Sequence, residues 1–312
     1  MAYLGRGASL GLGEEVTWGT AVARTVWRPL MSSNLTRTVE RIPRADLFSD
    51  SGAASRKSHY DLIVEAGGSA EMLATYDNIG MILKHALGTL ASAGGGPYTH
   101  TYTLAAALPT GLTLEFIRGT GTSEVFEGCK INQLTLSCSA GEAMTLAVDF
   151  IAEDSAARGV AGSPVFAATE TVVLYHQAGQ LTFGGNSFDV TSFEMVLNNN
   201  LTRRNLIGSD LTKEPQRGDF TEITMSIDVE AQDQLYTDLR SGTQSDASIS
   251  FSGTGSRVFQ VDLQNAYLTE ATDPVNSAGI VSQSITLVGE SDGTDYGLEI
   301  AVTNDDSTGI GN

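Results

Sequence analysis

The sequence predicts a mainly β fold with one flanking helix per unit, arranged as two tandem β-sandwich domains. Three observations lead there. A short phrase occurs twice, as Asn34-Leu35-Thr36-Arg37 and Asn200-Leu201-Thr202-Arg203, and the residues after each copy match in order. Apolar and polar residues alternate with period two in many short runs. The 34 glycines against 7 prolines suit tight turns between short strands.

After each phrase comes a strand-like run, 59–65 and then 223–230, matched at Glu65 and Glu230. Each leads into a helix-like run closed by glycine: 69–87 with Gly88, and 231–241 with Gly242. Gly119-Thr120-Gly121 answers to Gly253-Thr254-Gly255, and the run 130–136 to the run 263–269. The two copies carry Asn34 and Arg37, and Asn200 and Arg203, as their marking turns.

Taken in order, residues 1–25 read as an N-terminal arm, with Trp18 and Trp27 as apolar anchors that pack on a neighbour. Its glycines fit neither the dinucleotide fingerprint nor the Walker pattern, and no strand precedes them. Residues 26–154 form the first domain. Within it, 40–58 is loop-like and basic: Arg41, Arg44, Arg56 and Lys57 stand among Pro43, Ser49 and Gly52. Two readings fit, a solvated loop or a docking loop whose cations meet acidic surface on another subunit. The spacing of Met72, Leu73, Tyr76, Ile79, Leu83 and Leu87 predicts a helix over 69–87, with Ser69 as its N-cap.

The extra stretch 89–112 predicts a loop and one added strand, from the Thr/Tyr alternation at 98–103. Leu134, Leu136 and Cys138 alternate with polar residues, as do Met144, Leu146, Val148 and Phe150 beyond Ala140-Gly141, so a hairpin with one buried face is expected. Residues 155–170 read as linker, 171–292 as the second domain and 293–312 as a C-terminal tail or arm.

At 312 residues the chain has room for two cores, and 41% hydrophobic content marks it as globular. No run approaches the ~18 apolar residues of a membrane-spanning helix. The start, Met1-Ala2-Tyr3-Leu4-Gly5-Arg6, lacks the apolar centre of a signal peptide, so use without secretion is expected. Cys129 and Cys138, nine apart, would point to opposite faces of a regular strand and are expected to stay reduced.

Net charge is −19, of which residues 1–155 contribute −5 (11 basic, 16 acidic) and residues 156–312 contribute −14 (7 basic, 21 acidic). Such a surface argues against ordinary nucleic-acid binding, yet suits a wall along which a duplex slides without sticking. Chemistry-bearing constellations are missing. His59, His85, His100 and His176 lie in unrelated segments, no serine sits in a nucleophile elbow, and Asp292-Gly293-Thr294-Asp295 lacks calcium-loop spacing. Asp149, Glu153 and Asp154 read as a solvated strand end. The expectation is no enzyme, no cofactor and no metal.

Three stretches carry a resemblance: 15–21 (EVTWGTA), 128–136 (GCKINQLTL) before the strand 144–150, and 192–201 (SFEMVLNNNL). With them the chain resembles, over roughly residues 5–290, the major tail tube proteins of long non-contractile-tailed bacteriophages, in the duplicated-domain form. The resemblance implies that six domains from three chains form a ring whose inner sheets join into one barrel, and that rings stack into a tube. About 24 strands at ~4.8 Å, tilted ~45°, would give a backbone diameter of roughly 50 Å. The basic loop (Arg41, Arg44, Arg56, Lys57) and the terminal arms would dock ring on ring. Implied partners are further copies of the chain, a tape measure protein in the lumen, tail tip and tail terminator proteins, and genomic double-stranded DNA in passage. Implied location is the virion tail, after assembly in the host cytoplasm. The competing expectations are a single-ring baseplate or tail-completion protein of similar fold, and a secreted binding module.

Overall fold

The computed structural model describes residues 5–44, 58–119, 121–166, 170–272, 281–291, 293 and 297–311. The chain opens with β1 (Ser9–Glu14), β2 (Val26–Pro29), β3 (Ser32–Ser33), β4 (Thr36–Pro43) and β5 (His59–Leu73). Helix α1 (Gly80–Leu87) follows, then β6 (Ala91–Gly94), β7 (Tyr98–Thr103), β8 (Leu112–Ile117) and the long β9 (Thr122–Ser139). Next come β10 (Thr145–Ala152), β11 (Asp154–Ser155) and β12 (Gly159–Val160). The second half holds β13 (Leu181–Phe183), β14 (Asn186–Phe188), β15 (Val190–Asn198), β16 (Leu201–Arg204), β17 (Lys213–Arg217) and β18 (Glu222–Glu230). Helix α2 (Asp233–Ser241), β19 (Gln244–Ser252), β20 (Val258–Thr272), β21 (Ser282–Val288) and β22 (Leu298–Asn304) complete it.

The strands build one long sheet and two shorter ones behind it. The long sheet runs β4–β5–β10–β9–β15–β18–β21–β20, antiparallel throughout. Only the C-terminal part of β9 and of β20 takes part. Their N-terminal parts cross over into the shorter sheets, β2–β1–β8–β9 and β14–β13–β19–β20–β22–β7–β6. Each crossing is marked by a bulge, near Asn132 in β9 and near Asn265 in β20.

Period-two patterning decides which face is buried. Ile223, Met225, Ile227 and Val229 of β18 turn into the core with Leu146, Val148 and Phe150 of β10, while Thr224, Ser226 and Asp228 do not. Each such large apolar side chain contributes about 1.5–3 kcal/mol on burial. The hairpin β9–β10 forms as the alternation predicts, closed at Ala140-Gly141 with Gly141 at φ 95°. The added strand at 98–103 is β7.

Four expectations need correction. The helix does not begin at Ser69: residues up to Leu73 belong to β5, paired with β10 through Leu73 and Thr145. Ala70 and Met72 are buried by strand alternation, and Asn78 at φ 58° breaks any helix before Gly80. Residues 1–25 are not simply an arm, since β1 lies between β2 and β8 and buries Leu10 and Leu12. The stretch 293–312 holds β22, which joins β20 to β7 and buries Leu298, Ile300 and Val302. Beyond it Asp306 accepts the N–H groups of Gly309 and Gly311 at 3.1 and 3.0 Å, and Ile310 accepts that of Met81 at 3.2 Å. Finally, Cys129 and Cys138 do not take opposite faces: the crossing of β9 turns both toward the core, where each is a buried free thiol.

The halves interlock. β22 of the second half pairs with β7 of the first, and Asn304 donates to the Tyr76 carbonyl at 2.7 Å. Within the expected linker, β11 and β12 lie along β9.

Candidate functional site

The long sheet offers a face that the core does not use. Cross-strand register places Ser32, Glu71, Ala147, Thr135, Val196, Thr224, Val288 and Tyr267 in one transverse row on that face. Neighbouring rows add Asp149, Glu194, Glu222, Asp228 and Glu270 among serines, threonines, asparagines and glutamines. With Glu71 that makes six carboxylates, and the rows contain no lysine or arginine. The surface is acidic and hydroxyl-rich from β5 across to β20.

Hydroxyls hold several of these carboxylates in place. Ser32 donates to Glu71 at 2.9 Å, and Asp228 accepts Ser192 at 2.6 Å and Ser284 at 2.5 Å. Ser137 and Thr145 share a hydrogen bond of 2.8 Å. Burial pushes the Asp149 carboxyl up from its ordinary value, opposed by Asn132 and Arg203. Such a face repels polyanions.

The sheet has two unpaired edges among the described residues. β4 pairs only with β5, and β20 beyond Tyr267 pairs only with β21. Between them each half contributes four strands in corresponding order: the edge strand β3–β4 with β5, β10 and β9, and β15 with β18, β21 and β20. The central β9–β15 contact joins the halves, with Ser139 opposite Ser192 and Gln133 opposite Asn198.

The sequence-predicted residues fall in different places. Asn34 and Asn200 each tie the two arms of their own hairpin: Asn34 to Ser69 (N–H to carbonyl, 3.0 Å), and Asn200 to the Phe220 carbonyl at 2.7 Å. Arg37 pairs with Asp154 at 2.6 Å, whereas Arg203 crosses to the first half. The match of Glu65 to Glu230 does not survive: Glu65 faces Thr38, toward the hairpin loop from Asn34, and Glu230 lies at the opposite end of its strand from Asn200. Arg41 pairs with Asp61 at 3.0 Å near the end of β4, and the Arg44 N–H donates to the Ser58 carbonyl at 3.0 Å. Arg56 and Lys57 lie outside the described residues.

Both tryptophans pack within the chain. Trp27 is buried in β2, and Trp18 lies 5.7 Å from Lys130 Nζ and against Gly128, where a Cβ would come within 2.9 Å of the indole. Gly128, at φ 61°, makes that approach possible. Sequence reading missed Asn199, whose buried amide donates to Ala86 and Ile131 carbonyls at 2.9 and 3.1 Å and accepts from Arg217 at 3.0 Å. Its neighbours Asn198 and Asn200 form the same polar run, the one signal that marked it.

Among the described residues no group of three or more His, Cys, Asp or Glu side chains is placed to hold a metal ion. No helix there is long and apolar enough to cross a membrane.

One solved structure similar to part of the chain is Hcp1 from Flavobacterium johnsoniae, at 16% identity over 36% of this chain and 89% of that one, with a TM-score of 0.26. No curated protein matches. A family model described as phage tail tube protein matches residues 5–289, nearly the whole chain. The chain therefore belongs to the phage tail tube protein family, a family of structural proteins and not of enzymes.

Proposed function

We propose that three copies of this chain close into a ring, that rings stack into the tail tube of a long non-contractile-tailed phage, and that DNA is ejected through the lumen. One observation carries the reading: an eight-stranded sheet, four strands from each half in corresponding order, that among the described residues ends in two unpaired edges. Unpaired strand edges invite a further strand. Joining β20 of one chain to β4 of the next repeats the kind of contact that β9 and β15 make within the chain. Three sheets then give 24 strands and a closed barrel, with no edge left.

In this reading the two halves are an internal duplication, domains 26–154 and 171–292, and the acidic face lines the lumen. The six carboxylates of one sheet become eighteen around the ring. Their field keeps the duplex from settling on the wall. The tape measure protein occupies the same lumen before ejection, and tail tip and tail terminator proteins bound the tube. The finished tube belongs to the virion tail, after assembly in the host cytoplasm. The basic residues Arg41, Arg44, Arg56 and Lys57 dock one ring on the next.

The mass of the smallest stable ring tests the stoichiometry. Three chains of 32.8 kDa are expected; six chains in the smallest ring would refute it. Rings that never stack, even with a tail-tip template, would favour a baseplate or tail-completion role.

A further inference from the structure

We propose that Arg37 is the clasp between neighbouring chains of one ring, seated in a groove at the ends of β18 and β21 on a second copy of this chain. This rests on the three-chain ring and gives the first copy of the repeated phrase a partner.

The second copy of the phrase shows what such an arginine does. Asn198 of β15 lies opposite Glu222, and Ser32 of β3 lies opposite Glu71, so the two positions correspond. Arg203 and Arg37 each stand five residues beyond that position. Arg203 leaves its own half: its guanidinium donates to the carbonyls of Ala66 and Ala152, a cross-strand pair of β5 and β10. The hairpin that carries it is seated there too, with the Asp210 carbonyl accepting the Val64 N–H at 2.9 Å. The seat is open to it because β9 has bent away into its shorter sheet.

Arg37 has no such seat within its own chain. It is exposed and pairs with Asp154 at 2.6 Å, a surface ion pair of the kind that contributes little. The matching seat lies in the second half, where β20 has likewise left for its shorter sheet. There β18 and β21 end on a groove of about 710 Å³ lined by Phe220, Thr221, Glu222, Val288, Gly289 and Glu290. Phe220 is 87% exposed and offers a ring face to a guanidinium. Arg217 borders the groove, but its own guanidinium is spent on the Ala105 and Ala106 carbonyls and on Asn199. Glu222 and Glu290 therefore leave the groove acidic, which suits an arginine. Setting β3 and β4 beside β20, as β15 stands beside β9, carries Arg37 to this groove on the neighbouring chain.

The test uses the full chain, read by sedimentation and by urea unfolding of the monomer. Arg37→Leu should leave the urea midpoint unchanged and raise the concentration at which rings form about tenfold. Asp154→Asn removes only the pair within the chain and should form rings at the wild-type concentration or below. Rings assembled from a mixture of Arg37→Cys chains and Glu290→Cys chains should give linked dimers with a short bismaleimide, and neither variant alone should. Rings of ordinary strength from Arg37→Leu, or no linked dimers from mixed rings, would overturn the proposal and leave the three-chain ring standing. It would also be overturned if Arg37→Leu lowered the urea midpoint as far as Arg203→Leu does, or if Asp154→Asn weakened rings equally. The arginine would then act within its own chain. A wild-type chain that forms no rings would remove the tube reading itself, and this proposal with it.

Discussion

Arg203, on the hairpin of the second half, donates from Nη2 to the main-chain carbonyl of Ala66, on β5 of the first half, at 2.5 Å. Its Nη1 reaches the Ala152 carbonyl at the end of β10, at 3.3 Å. Burial lowers the guanidinium pKa, opposed by Glu65 and Asp149. One side chain thus fastens the second half to the middle of β5 and the end of β10 in the first half.

Replacing Arg203 with Leu should cost about 2 kcal/mol, the penalty of leaving half-buried carbonyls without a donor. Urea unfolding should show a lower midpoint at unchanged slope. An unchanged midpoint would mean the hairpin is held by its loop contacts alone.

Acid should destabilise the chain in two stages. Burial holds His85 below its ordinary 6.5, so its neutral form is favoured and stability falls as pH drops below that value. The His85 ring, against the opposing effect of burial and with help from Lys84, holds Glu14 down to about 2 from 4.5. That contribution is complete above about pH 4.5 and is lost as pH falls toward 2. Glu14→Gln should remove the lower stage and deepen the upper one, because it takes away the carboxylate that opposes burial at His85, read as the difference in stability from wild type across roughly pH 7 to 2.

Ring closure should fail when the β4 edge is blocked. The Asn34 N–H points at β5, so by alternation the Val39 N–H points out from the edge. Val39→Pro removes that donor where a strand edge tolerates proline. The monomer should remain folded, and sedimentation should show no rings at concentrations where wild type forms them.

Changing Arg41, Arg44, Arg56 and Lys57 together to Glu should block stacking while single rings persist. Electron micrographs with wild-type tubes from this variant would sink the docking role of the basic loop.

What could be read from the sequence was local. The β9–β10 hairpin, the β18 strand and the αL cap at Gly242 each follow from spacing within a dozen residues. The end of β5 was misread because Met72, Leu73 and Tyr76 satisfy a helical period as well as a strand, and only the ladder to β10 decides between them. The strand at Leu298–Asn304 was hidden by the acidic, glycine-rich residues around it, and its partners lie far away, at Thr103 and Leu263. Asn199 and Arg203 reach the first half through contacts 51 to 137 residues away in sequence, which no periodicity records.

The central claim, that two unpaired edges of an eight-stranded sheet are completed by copies of the same chain, is tested most directly by cryo-electron microscopy of assembled tubes. The account predicts three chains per ring, one continuous 24-stranded barrel with β20 of each chain beside β4 of the next, and the acidic face toward an open lumen. Rings of six chains, or a barrel with the acidic face outward, would contradict it.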